Sequence, residues 1–165
     1  MMLKHARHTA LPATPVVSGI EWKAYEGAYP WLPDLETLQP VASGTAERPD
    51  LAKRTRDDNI GLLFSGCLNI PQDGDYTFFL EADTGALLRL HDATVIDADF
   101  GYPGGQEASG SIRFQAGLHP FRLFYARQTK FKPSLNLSWS GPGVAKGVIP
   151  NEVFQRLGNS QAEPK

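Results

Sequence analysis

Residues 61–90 read GLLFSGCLNIPQDGDYTFFLEADTGALLRL, and this stretch decides the fold. Leu62, Phe64, Gly66, Leu68 and Ile70 alternate with Leu63, Ser65, Cys67 and Asn69. Alternation with a period of two over such a run marks a half-buried strand. Pro71, Asp73 and Gly74 stop it, because proline gives no N–H to a ladder and Asp-Gly turns readily. Tyr76, Phe78, Leu80 and Ala82 then restart the alternation, so the two runs are expected to pair as a hairpin. Asp83-Thr84-Gly85 forms the next turn, and Ala86 to His91 the third strand.

The same alternation recurs outward from this centre. On the N-terminal side, Ile20, Trp22 and Ala24 give a strand ending at Gly27, and two prolines then exclude regular structure near Trp31. Asp34 is placed to cap a short turn, Leu35 to Leu38, with Leu35 and Leu38 on the core. Pro40 to Lys53 reads as irregular chain, and Arg54 to Asn59, with the Asp57-Asp58 pair, as a charged, solvated approach to the central strands. On the C-terminal side, Val95-Ile96, Ile112 to Ala116, Phe121 to Tyr125 and Leu135 to Trp139 are strands. Asp97 to Gly110 is the longest loop, holding Asp97, Asp99, Phe100 and Tyr102; a loop of that length is usually functional or mobile. Ile149 to Phe154 has room for one helical turn. Short strands with turn signals between them predict an all-β sandwich or barrel.

Composition sets limits. With 165 residues, 41 % hydrophobic and 21 % charged, the chain suits one domain with its own core. A net charge of −2 without runs of one sign excludes a nucleic-acid footprint or polybasic membrane anchor, so neither partner is expected. No apolar run reaches the ~18 residues of a membrane span. Cys67 is the only cysteine and is expected to act as a small buried apolar group. No nucleophile elbow, HExxH, Cys–His arrangement or phosphate loop occurs, so no enzyme activity and no catalytic residue is expected. His119 and His91 are expected to pack or hydrogen-bond at turns, and Trp139 to lie in the core.

An ordered set of motifs carries a family resemblance. FSGCLNIPQDGDYTFFLEADTGALLRLHD, SGSIRFQAGLHPFRLFYA, LNLSWSGPG and a closing Ile149-Pro150 resemble the PA-fourteen domain, the kind attached to bacterial sulfatases and glycoside hydrolases. The resemblance covers roughly residues 18–157, with 1–17 expected as a linker or tail and 158–165 as a disordered end. It implies an antiparallel two-sheet β-sandwich of jelly-roll type. It also implies a non-catalytic carbohydrate-binding module of a larger secreted carbohydrate-active enzyme, extracellular or periplasmic, with a glycan or polysaccharide and a covalently linked catalytic domain as partners. The other reading is a structural module that packs on a catalytic domain without a ligand of its own.

In adhesin-like members of that family an Asp-Asp pair at the turn matching Asp83-Thr84 holds calcium, which holds sugar hydroxyls, and a second loop matching about 128–132 adds contacts. The site residues implied here are Asp83, Thr84, Gln128, Thr129 and Lys130, with Asp83 as the metal ligand; Tyr102, from the 97–110 loop, is added as a ring that could stack on a sugar face. The chain departs from the pattern in two places. Thr84 stands where the second carboxylate would be, and calcium takes six to eight oxygens, usually with several carboxylates among them. Lys130 and Lys132 would repel a nearby cation.

Overall fold

The computed structural model describes residues 16–27, 32–56, 58–98, 106–127 and 133–157. Twelve strands are present among them: β1 (Val16–Ser18), β2 (Ile20–Glu26), β3 (Ala42–Ala46), β4 (Ile60–Ile70), β5 (Gly74–Ala82), β6 (Gly85–Leu90), β7 (Ala93–Ala98), β8 (Ala108–Phe114), β9 (Gly117–Arg127), β10 (Leu135–Gly141), β11 (Val144–Val148) and β12 (Phe154–Leu157). Three single 3-10 turns, Leu35–Thr37, Leu51–Lys53 and Asn151–Val153, are the helical elements among the described residues.

All pairings are antiparallel and fall into two sheets that do not close into a barrel. The larger runs β1-β12-β4-β9-β6-β7, with β2 inserted against the first half of β4 and β3 beside β2; the smaller runs β11-β10-β5-β8. The inner faces hold Phe64, Leu68, Leu88, Leu90 and Leu123 from one sheet and Tyr76, Phe78, Leu80, Phe114 and Trp139 from the other. Their rings meet at tilted and edge-on angles, with Tyr76–Trp139 centroids 5.5 Å and Phe78–Phe114 6.3 Å apart, the spacing aromatic quadrupoles favour.

The strands of the central stretch are where the sequence places them, but β4 and β5 do not form a hairpin. β4 pairs with β9 and β2 in one sheet, while β5 pairs with β10 and β8 in the other. The Pro71–Asp73 connection is an arch that carries the chain from sheet to sheet. The Asp83-Thr84 turn returns it, since β6 pairs with β9 and β7. Apolar alternation fixes which side of a strand is dry; a hairpin and an arch both satisfy it.

Four further expectations are corrected. The span 40–53 contains β3, which lies on the edge beside β2, its Gly44 against the Trp22 indole. Val16 and Val17, expected in a linker, belong to β1, which pairs with β12. Leu35 is fully buried but Leu38 is exposed, and the Asp34 side chain makes no cap bond. Asp58 is not simply solvated, as described below. In addition, β4 is dry on both faces at its start: Leu63 packs with Tyr25, Leu35 and Phe124 in a second small cluster outside the larger sheet.

Cys67 is buried and free, and Trp139 is in the core. His119 is fully buried, its Nε2–H donating to the Gln115 carbonyl at 2.6 Å. With His119 as the neutral tautomer, its Nδ1 accepts from His91 Nε2–H, 2.8 Å away. Both histidines tie down the arch from β8 to β9.

Candidate functional site

Ladder register gathers three chain segments at one rim of the sandwich. Ala82 at the end of β5 pairs with Leu135 at the start of β10, and Gly85 at the start of β6 pairs with Ala126 near the end of β9. The Asp83-Thr84 turn, the end of β9 and the start of β10 are thus neighbours. Arg127 and Ser134, on either side of the 128–132 segment, both bond to Asp83 in that turn. Gln128, Thr129 and Lys130 lie outside the described residues, as does Tyr102.

Asp83 is 5 % exposed, and its carboxylate is already occupied. Oδ1 accepts from the Tyr125 hydroxyl at 2.5 Å and from the Ser134 backbone N–H at 3.0 Å. Oδ2 accepts from Arg127 Nη1 at 3.0 Å. The Asp83 N–H donates back to the Ser134 carbonyl at 3.0 Å. Thr84 turns its hydroxyl inward: it donates to the Ala126 carbonyl at 2.8 Å and lies 3.2 Å from Asp83 Oδ2. Asp83, expected as a metal and sugar ligand, is held in this structure as an internal bracket between the ends of β5, β9 and β10.

Arg127 is the residue that sequence reading missed. Its side chain is 3 % exposed, and it bridges Asp83 to Asp58, with Nη2 to Asp58 Oδ1 at 3.0 Å. Burial pulls its pKa down, but the bond to Asp58, the Tyr125 hydroxyl and the charge of Asp83 outweigh this and hold it above the ordinary arginine value. Tyr125 is pushed far above the usual phenol range, first by burial and then by its bond to the carboxylate, which favours keeping its proton. One sequence signal did exist. Leu123-Phe124-Tyr125-Ala126 is apolar on both strand faces, so the arginine that follows it enters a dry position, where it needs an acidic partner.

A cleft of about 1040 Å³ opens between the β10–β11 edge and the 48–51 segment. Ser134, just before β10, and Asn136 and Ser138 of β10 line it with Arg48, Asp50 and Lys146. Ser134 belongs to both the cleft and the Asp83 bracket, so the two are contiguous. Several of the polar groups are pre-set: Ser134 Oγ and Asn136 Nδ2 donate to Glu81, Lys146 pairs with Glu107 at 2.7 Å, and Arg48 donates to the Ile149 carbonyl.

A model of the PA14 domain family matches residues 17–152, most of the chain. The chain belongs to the PA14 domain family. No curated protein matches it. Among solved structures it is similar to the epithelial adhesin 9 A domain of Candida glabrata in complex with Galβ1-4GlcNAc (15 % identity, TM-score 0.69, 94 % of this chain and 99 % of that one). It is also similar to a PA14 sugar-binding domain from an RTX adhesin (17 %, 0.66, 85 % and 99 %). A third similar structure is an anti-sigma factor domain-containing protein from Clostridium clariflavum (22 %, 0.67), of which 90 % of this chain covers 51 %. The chain spans about half the length of that protein. At these identities the likeness is one of fold.

The calcium implied by the family resemblance does not fit the residues present. Asp83 is spent on Tyr125, Ser134 and Arg127, and Thr84 faces a carbonyl. Among the described residues no group of three or more His, Cys, Asp or Glu side chains could hold a metal, and no peptide is cis. A divalent ion about 4 Å from the Arg127 guanidinium would meet a repulsion of roughly 8 kcal/mol at an effective dielectric constant near 20. Asp83 could release its lone pairs to an ion only by leaving Arg127 buried without it.

Proposed function

We propose that the chain is a non-catalytic carbohydrate-binding module of a larger, exported carbohydrate-active protein, and that its ligand lies along the rim formed by the 83–84 turn, the 128–132 connection and the cleft beside β10. The observation that carries this reading is family membership over residues 17–152, together with a fold shared with a sugar-binding adhesin domain and with an adhesin domain solved as a sugar complex. The chemistry of the cleft supports it: the hydroxyls of Ser134 and Ser138 and the amide of Asn136 offer the mixed donors and acceptors that sugar hydroxyls need. Binding at so open a place exchanges water hydrogen bonds for similar ones, so single-site affinity is weak and repetition along a polysaccharide strengthens it. A catalytic domain in the same chain, with extracellular or periplasmic delivery, completes the proposal.

The test is a glycan array probed with multivalently displayed protein, followed by calorimetry on the best ligand. Retention of a defined glycan class, lost on substituting Asn136 and Ser138 of the cleft together with Ala, is the expected result. An array on which nothing is retained at any salt or calcium concentration removes the proposal.

A further inference from the structure

We infer that a guanidinium takes the place of a metal ion at this rim: Arg127 is the resident cation that closes the β5–β6 turn, and whatever the rim binds is bound without calcium. The second clause deepens the glycan-binding reading and rests on it; the first does not.

Charge and geometry carry the inference. The turn has kept one carboxylate, Asp83, and that carboxylate is buried, so it requires a partner of opposite charge. Arg127 supplies that charge from the end of β9, one residue beyond the Ala126 that pairs with Gly85. Its planar fork reaches in two directions at once, 3.0 Å to Asp83 on the inside and 3.0 Å to Asp58 toward solvent. A lysine, with its charge at a single point, would span these two carboxylates less well. Tyr125 and the Ser134 N–H complete the shell around Asp83, so the carboxylate has a cation plus two hydrogen-bond donors. Thr84 fits the same logic. With the positive charge covalently supplied, a second acid is not required, and the hydroxyl is free to anchor the turn to the Ala126 carbonyl. The bracket joins β5, β9 and β10 across both sheets, and it does so by bonds from Arg127 and Ser134 to Asp83, all chain-borne groups.

The wild-type protein tests the first clause with no glycan present. Its melting temperature is measured in 10 mM calcium chloride and again in EGTA, and terbium emission sensitised by the protein's tyrosines is read in parallel. The expected result is coincident melts and no sensitised emission. A calcium site of roughly 10⁻⁴ M would be a hundredfold over its dissociation constant and would raise the melt by roughly 5–10 °C; such a shift, reversed by EGTA, overturns the inference. The role of the guanidinium is read by amide exchange. In Arg127→Gln the amides of Asp83 and Ser134 should exchange at least tenfold faster, and unchanged protection would overturn that assignment. If Arg127→Gln does not fold, Arg127→Lys keeps the charge, loses the fork, and carries the same expectation. For the second clause, a glycan held in calcium but released in EGTA contradicts the inference, whereas a protein that passes the calcium test and binds no glycan contradicts only the proposed function.

Discussion

Replacing Asp83 with alanine separates a scaffold from an open site. The substitution removes the acceptor of the Tyr125 hydroxyl, the Ser134 N–H and Arg127 Nη1 in one step. Arg127 keeps Asp58, but that partner is half exposed while the guanidinium is 3 % exposed. Removing one member of a buried ion pair costs about 3–5 kcal/mol, because the remaining charge stays desolvated. Orphaned buried donors cost about 1–3 kcal/mol each, though they share one acceptor and do not simply add. A loss of about 3–5 kcal/mol is therefore expected, and at 2–4 °C per kcal/mol for a domain of this size the melt falls by roughly 6–20 °C. Urea unfolding followed by tryptophan fluorescence measures it. Asp83→Ala combined with Arg127→Met should cost less than the sum of the two single changes, because the double variant buries no unpaired charge. A single-variant cost below about 1 kcal/mol, the value of a surface pair, would refute the bracket and return Asp83 to the role of an exposed ligand.

Other outcomes follow from the same structure. Stability should fall as the pH rises above about 9: burial pushes the Cys67 thiol from 9.0 to about 11 and also raises Tyr125. The unfolded chain then gives up protons that the folded one keeps; the thiol alone contributes about 2–3 kcal/mol, fully present below pH 9 and lost by about 11, and urea midpoints between pH 7 and 11 check it. At pH 8 Cys67 should react with a disulfide reagent only on unfolding, so fast labelling of the native protein would place the thiol elsewhere. Gly110→Ala should destabilise by about 1–3 kcal/mol or more, because a Cβ there would stand 2.0 Å from the Val95 carbonyl oxygen, a backbone atom that cannot rotate away. Asp75→Asn should leave the melt unchanged, since its 2.7 Å pair with Arg113 lies in full solvent.

Strand positions were legible in the sequence because each strand face meets one environment, dry or wet, and the residues of β4, β5, β6, β9 and β10 record it. Pairing was not legible, because the alternation of Phe64 and Leu68 against that of Tyr76 and Phe78 is the same whether the two strands lie side by side or face to face. β3 was invisible for another reason. Ser43, Gly44 and Thr45 sit on an exposed edge, where no apolar signal is required. At the site, the Asp83 turn was recognisable from its neighbours, but its state was not. That depends on Arg127 and Asp58, which lie 44 and 25 positions away: the ladder of β6 with β9 brings Arg127 to Asp83, and the ladder of β4 with β9 brings Asp58 to Arg127. Asp58 looks solvated in the sequence until the buried Arg127 is found beside it.

The most direct measurement is an amide chemical-shift titration of the isotope-labelled protein, in EGTA, with the glycan that the array selects. The account predicts saturable shifts concentrated at Thr84, Gly85, Ser134 and Asn136, unchanged when calcium replaces the chelator. Shifts confined to another part of the sandwich, or shifts that need calcium to occur, would contradict it.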